Sequence, residues 1–218
     1  VIFSANALRD ALDRVLPGET AHATMVPEGR PRRGFSVRSA ATRHSAVLIA
    51  LIPDLTDPDT PDLAFPLIQR TDDGGPHALQ IALPGGAMEN HDADIAATAL
   101  REAQEEIALP LGEFSILGRL SDLYIDVSDY LITPVVAWFS GNDAEEGVWR
   151  HLVAHPGEVR RVLRGTIRTL PATRGTRELE VRGLRLAAPS YLVEDEIVWG
   201  ATGMILAELL AVIEAISP

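Results

Sequence analysis

Residues 83–109 read LPGGAMENHDADIAATALREAQEEIAL, and the pattern changes character twice within them. Pro84-Gly85-Gly86 ends an apolar run, a polar loop follows, and from Asp92 to about Ile107 apolar residues recur at helical spacing. Glu102, Glu105 and Glu106 fall at i, i+3 and i+4, so they share one face of that helix. At roughly 100° per residue they span an arc of about 100°. Ala96, Ala99, Leu100, Ala103 and Ile107 fill the neighbouring arc and are suited to pack on a sheet. A helix buried on one side is thus expected to hold three acids on the other.

Gathering like charges costs stability, because each acid raises the pKa of its neighbours. A divalent cation removes that cost, and hard oxygen donors suit Mg²⁺ or Mn²⁺. Arg101 can pair with Glu105 or reach back to the preceding loop. Gly85-Gly86 allows close backbone approach, so that a carbonyl there can complete a metal shell. The competing explanation is an exposed amphipathic helix with fortuitous glutamates. Glu-Glu pairs are common, but Pro-Gly-Gly at this distance from Arg-Glu-Ala-Gln-Glu-Glu is not.

Outward from this segment, residues 44–53 (HSAVLIALIP) form a continuous apolar run with the length of a buried strand. A turn at 55–62, with three Asp and two Pro, separates it from a second strand at 63–70. Residues 78–83 make a third strand. Two more, 114–125 and 130–140, meet around Asp126-Val127-Ser128. Residues 177–192 read as a strand pair and 203–216 as a closing amphipathic helix, while 155–170 resists assignment. Ahead of the first strand, 4–15 is a short helix with Ser4 as N-cap. Residues 20–42, rich in Gly, Pro and Arg, read as an extended connection. The division expected is an N-terminal helix and connection, 1–43, packed on a main domain, 44–218. The class is α/β, a sheet covered by helices.

The chain has 218 residues, 46% of them hydrophobic, enough to bury one substantial core. It has no cysteine, which excludes disulfides and thiolate metal sites and fits a cytoplasmic home. The formal charge of −12 argues against nonspecific nucleic-acid binding but leaves room for a small phosphate-bearing ligand held by a metal and a few arginines. No apolar run is long and unbroken enough to imply a membrane partner.

The 83–109 segment resembles the Nudix box, through Gly86, Asp92, Arg101-Glu102, Ala103, Gln104, Glu105-Glu106, Ile107 and Ala108. Two departures are a loop one residue longer than the commonest spacing and Ala108 where the family has Gly. The Pro-Gly-Gly, the longer loop and Thr98-Ala99-Leu100-Arg101-Glu102-Ala103 resemble the coenzyme A pyrophosphatase subgroup. Arg70 and His77-Ala78-Leu79-Gln80 stand for its Arg strand and His-x-Gly-Gln, with Leu79 replacing Gly. Glu158-Val159 and the 197–202 stretch, including Trp199-Gly200, resemble later segments.

The resemblance implies a Nudix α/β/α sandwich with a mixed central sheet and a catalytic loop-helix. It also implies metal-dependent hydrolysis of a nucleoside diphosphate linked to another moiety. The implied metal ligands are Glu102, Glu105, Glu106 and the Gly85 carbonyl, with Mg²⁺ or Mn²⁺ as cofactor. Glu105 is a further ligand or the base, and Arg101 orients the glutamates. For the subgroup, the substrate is coenzyme A or a thioester, cut to 3′,5′-ADP and 4′-phosphopantetheine, with Arg70, His77, Gln80 and Arg43 as substrate contacts. ADP-ribose, nucleoside diphosphate sugars and dinucleoside polyphosphates remain alternatives, as does a catalytically silent nucleotide-binding module. The family often forms homodimers. Each minor feature has a plainer explanation: a solvated linker for Arg30, Arg32, Arg33, Arg38 and Arg43, a turn for His77, packing for Tyr191 and Trp199, and surface positions for Glu158 and Glu196.

Overall fold

The computed structural model describes residues 3–28, 42–54, 62–75, 77–126, 128–141, 146–181 and 183–217. Its centre is β1 (Arg43–Asp54), the apolar run. The strand is buried on both faces, and alternation along it divides two cores. Ala46, Leu48 and Ala50 join the cluster that contains Ala99, Ala103 and Ile107 of α3 (Ile95–Ile107). Ile49 and Leu51 join the other cluster, with Leu8 and Leu12 of α1 (Ala5–Leu12) and Ile205, Leu209 and Val212 of α5 (Gly200–Ile216). Helices therefore cover both faces of the sheet, as the α/β/α expectation required.

Around β1 the sheet is mixed. It pairs antiparallel with β2 (Asp62–Arg70) and β4 (Gly85–Ala87), and parallel with β7 (Tyr130–Phe139). β3 (Ile81–Ala82) and β8 (Val159–Thr166) flank β2, and β5 (Phe114–Arg119) and β6 (Leu123–Ile125) flank β7. A smaller sheet holds β9 (Gly175–Val181), β10 (Leu184–Val193) and β11 (Glu196–Val198). A further helix, α4 (Glu146–His151), carries Val148 into a satellite cluster with Ile52 and Phe139. Among the described residues no helix is long and apolar enough to cross a membrane.

Several expectations need correcting. The third strand shrinks from 78–83 to Ile81–Ala82, because His77 to Leu79 form a turn in which Leu79 takes φ +61°. The strand expected over 114–125 breaks in two where the Leu120 N–H turns to the Pro134 carbonyl at 3.0 Å. The unassigned 155–170 stretch supplies β8, whose pairing with β2 has no local sequence signal. The stretch taken as an extended connection contains α2 (Glu19–Ala23), which has Glu19 in its first turn and buries Ala21 and His22. The four arginines of that stretch, Arg30, Arg32, Arg33 and Arg38, and residues 55–61 of the turn lie outside the described residues. Tyr191 is core at 2% exposure.

One polar cluster ties the N-terminal segment to α5. Glu208 is fully buried, accepts from Gly18 N at 3.0 Å and from Ser121 N at 3.2 Å, and meets His22 Nε2 at 2.9 Å. Burial pushes its pKa up, but the hydrogen bonds from His22 and Ser121 outweigh that and leave it below the usual 4.5. A lowered folded pKa means that its stabilisation is complete above pH 4.5 and disappears as pH falls through the folded value. Glu208→Gln is expected to cost about 1–3 kcal/mol at pH 7. It should also make the loss of stability below pH 4.5 shallower than in the parent. Thermal melts from neutral to acid pH check both; parallel pH profiles would contradict the assignment.

Candidate active site

Asp94 caps α3 by accepting from Ala97 N at 2.8 Å, which is why the helix starts at Ile95 and not at Asp92. Asp92 does something else. Its carboxylate accepts from Arg101 Nε at 2.9 Å and Nη2 at 3.1 Å, from Thr98 Oγ1 at 3.0 Å and from Glu89 N at 2.9 Å. The Arg101 hydrogen bonds hold the Asp92 carboxyl well below the usual carboxylate range, and Asp92 in turn raises Arg101. Arg101 Nη2 also donates to the Ala87 carbonyl at 3.0 Å, while Nη1 lies 2.9 Å from both Glu102 Oε1 and Glu105 Oε2. Arg101 therefore does both things expected of it, pairing with Glu105 and reaching back to the loop.

On the sheet side, Gly85 and Gly86 pair with Val47 and Ala46 of β1. A Cβ on Gly85 would stand 2.2 Å from the Ala46 carbonyl oxygen, and one on Gly86 would stand 2.5 Å from the Glu102 carboxylate. Glycine is needed at both positions because backbone and carboxylate occupy that space. Glu106 is 2% exposed and its carboxylate accepts from Gly85 N at 2.9 Å, the one hydrogen bond of that carboxylate among the described residues. Burial pushes its carboxyl up to about 7 against the Gly85 hydrogen bond, with the charges of Glu102 and Glu158 adding to the rise and Arg70 opposing it. Burial also raises Glu102, against the pull of Arg101. Glu105 is the outermost of the three, with its side chain 59% exposed.

The structure thus draws together Arg101, Glu102, Glu105, Glu106 and Gly85, although Gly85 engages Glu106 through its N–H. Arg70, His77 and Gln80 form a neighbouring group. Arg70 N donates to the Gln80 carbonyl at 3.1 Å, and His77 Nδ1 lies 3.0 Å from Gln80 Oε1. Arg43 is elsewhere: its guanidinium lies 4.0 Å from the Tyr130 ring centroid and donates to the Ser128 carbonyl at 2.7 Å. Glu196 pairs with Arg161 at 2.6 Å. Glu158 is exposed, as a surface position should be, yet its charge reaches both Glu102 and Glu106. Nothing in its spacing from the box could have placed it there. α3 ends at Ala108 in the left-handed conformation (φ 54°, ψ 38°), where glycine would spare about 1 kcal/mol.

Among the described residues no three carboxylate or imidazole groups stand ready as a cation cage. The donor chemistry nevertheless fits a hard divalent ion. Glu102 and Glu106 lie one turn apart, Glu106 buried and Glu102 partly so; neighbouring carboxylates raise both, Glu105 and Glu158 acting on Glu102 and Glu102 and Glu158 on Glu106, a repulsion that a cation relieves.

A sheet between helix layers, with an acid-bearing helix docked on a Gly-Gly strand, defines a class of phosphoanhydride-cleaving enzymes. The NUDIX domain family model matches residues 42–165, and the chain belongs to the Nudix hydrolase family. Its members act on nucleoside diphosphate derivatives and generally use divalent metal ions. The Nudix hydrolase NudL of Photorhabdus laumondii is 31% identical over 169 residues, which cover 77% of this chain and 83% of that protein. NudL of Yersinia pestis is 39% identical over 113 residues, 49% of this chain and 53% of its own length, so that match spans about half of the relative. Among solved structures, the Nudix hydrolase RenU from M. smegmatis aligns with a TM-score of 0.51 at 15% identity, covering 81% of this chain and 88% of its own. A MutT/nudix family protein from Enterococcus faecalis aligns at 0.50 with 16% identity, covering 98% and 76%. These two likenesses concern the fold.

Gly86→Ala tests the close approach. Its new Cβ meets the end of a flexible side chain, so the fold should survive while the Glu102 carboxylate is displaced. Thermal stability should stay near that of the parent and kcat/KM should fall by about 100-fold. Unchanged turnover would show that Glu102 need not occupy this position.

Proposed function

We propose that the enzyme hydrolyses the diphosphate of coenzyme A or its thioesters, releasing 3′,5′-ADP and 4′-phosphopantetheine. The observation that carries the reaction class is the placement of Glu102 and Glu106 against Gly85-Gly86, with the buried Glu106 carboxylate given one N–H partner among the described residues. Glu102 and Glu106 would hold Mg²⁺ or Mn²⁺, with the Gly85 carbonyl as a further ligand and Glu105 either as another ligand or as the base. Such an ion, when bound, neutralises charge growing on the phosphoryl oxygens and acidifies the attacking water. In the role of base, Glu105, exposed and already oriented by Arg101, takes the proton from that water. The water oxygen bonds to one phosphorus, the bridging P–O bond breaks, and the second phosphate leaves with the bridging oxygen. Arg101 is a positioning residue, since it ties Glu102 and Glu105 to Asp92 and to the Ala87 carbonyl.

The coenzyme A assignment is supported by Arg70, His77 and Gln80, which resemble the subgroup's substrate contacts and are linked to one another through Gln80. Arg43 remains in the proposed set as a residue that would have to leave Tyr130 to meet substrate. The absence of cysteine supports a cytoplasmic setting, and a homodimer is the assembly proposed on family grounds.

Mass spectrometry of products from coenzyme A, ADP-ribose and diadenosine polyphosphates, each with Mg²⁺ and Mn²⁺, tests the substrate. The expected result is 3′,5′-ADP with 4′-phosphopantetheine from coenzyme A, and a loss of at least about 100-fold in Glu106→Gln. Brisk ADP-ribose cleavage with coenzyme A untouched would overturn the substrate assignment. Equal turnover by Glu106→Gln would remove the metal role.

A further inference from the structure

Thr98, in the first turn of α3, is fully buried. A hydroxyl shut off from water must place its proton on an internal acceptor. Two are in reach: Asp92 Oδ2 at 3.0 Å, and the Asp94 carbonyl at 3.4 Å, which already accepts from Thr98 N at 3.2 Å. The shorter contact goes to Asp92, whose ionised carboxylate can only accept. Asp92 lies ahead of α3, in a turn closed by its N–H on the Glu89 carbonyl at 3.1 Å, so no helical hydrogen bond fixes its backbone. Its carboxylate is anchored instead. Oδ2 accepts from the loop through Glu89 N and from the helix through Thr98 and Arg101 Nη2. Oδ1 accepts from Arg101 Nε, with His91 Nε2 farther off at 3.8 Å.

A bidentate pair between two long side chains can swing as a unit about both sets of torsions. Thr98 is short, β-branched and mounted on a rigid helix, and it stops that swing at Oδ2. The consequence passes to Arg101. A guanidinium is a planar fork of five N–H donors. With Nε and Nη2 fixed on Asp92 and Nη2 also on the Ala87 carbonyl, Nη1 can point in one direction only, and there it lies 2.9 Å from both Glu102 Oε1 and Glu105 Oε2. Glu105 gains most from this. Its side chain is 59% exposed and free to change rotamer, and Arg101 is what holds it. A reacting carboxylate contributes only for the time it spends in position.

We propose that Thr98 is a positioning residue for the hydrolysis: its buried hydroxyl pins the Asp92 carboxylate to α3, and Asp92 in turn fixes the Arg101 guanidinium in the plane that holds Glu102 and Glu105. Thr98 is too deeply buried to touch substrate and acts through two intermediaries. The proposal rests on the metal-dependent hydrolysis described above and is independent of the choice of coenzyme A as substrate.

The test compares the full chain with Thr98→Val, which keeps the branched shape and loses the donor, and with Thr98→Ser, which keeps the donor. Thr98→Ala, a better helix former, carries the test should the valine variant not fold. The first measurement is solvent exchange of the Arg101 Nε–H by heteronuclear NMR on the metal-free chain, the signal being assigned by its loss in Arg101→Lys. Exchange should be roughly tenfold faster without the hydroxyl, the effect of one hydrogen bond on local opening, and should return towards the parent rate in Thr98→Ser. The second is steady-state kinetics with Mg²⁺ and Mn²⁺ on whichever of coenzyme A and ADP-ribose the parent cleaves. Without the hydroxyl kcat should fall roughly ten- to a hundredfold with KM near that of the parent, and Thr98→Ser should restore most of it. Arg101 exchange at the parent rate, or an unchanged kcat, in the folded variants that lack the hydroxyl overturns the role of Thr98. So does a loss shared equally by Thr98→Ser. Any of these leaves the hydrolysis reading standing. A parent that cleaves neither substrate overturns that reading and this proposal with it.

Discussion

Small side chains meet where α3 lies on the sheet: Ala99 and Ala103 share one buried cluster with Ala46 and Ala50 of β1. Larger residues on either side would hold the helix away from the strand. Because they are small, the helix comes close enough for the Glu102 carboxylate to fill the space a Cβ on Gly86 would need, and for Glu106 to reach Gly85 N at 2.9 Å. The positions of the acids follow from this contact between apolar surfaces, which is rigid in a way that a loop is not.

Proximity has an electrostatic consequence. Three acids on one and a half turns, two of them screened from water, repel one another, and the structure offsets only part of that repulsion. Arg101 answers Glu102 and Glu105 and is itself anchored by Asp92. The Glu106 carboxylate receives a single N–H among the described residues and sits where burial favours its neutral form. A site with one incompletely compensated carboxylate is primed for a cation, and Arg101, by holding the loop and the helix together, keeps the remaining donors in range.

Much of this could be read from the chain alone, for definite reasons. The 3.6-residue period over 92–107 identified both faces of the helix that becomes α3, three residues longer at its start than the structure has it, and the unbroken apolar run identified β1 as a buried strand. What could not be read depends on contacts distant in sequence. The pairing of β8 with β2, the docking of α2 through His22 and Glu208, and the approach of Glu158 to the acids have no local periodicity to betray them. Residues 78–80 read as the start of the third strand, but the positive φ of Leu79 turns the chain there. Arg43 suited a phosphate contact by charge, yet the nearby Tyr130 ring and Ser128 carbonyl engage it first. A cleft that brings Gly74, Gly75, Ala78 and Gln80 together with Trp199 and β9 is visible only once the chain has folded.

Whether α3 is a cation platform is open to direct observation in crystals equilibrated with Mn²⁺ and measured for anomalous scattering. The account predicts one strong peak shared by the carboxylates of Glu102 and Glu106, with donor distances of about 2.0–2.2 Å, beside the Gly85-Gly86 backbone. A manganese peak elsewhere, with Glu106 still bound to Gly85 N and Glu102 still bound to Arg101, would contradict it.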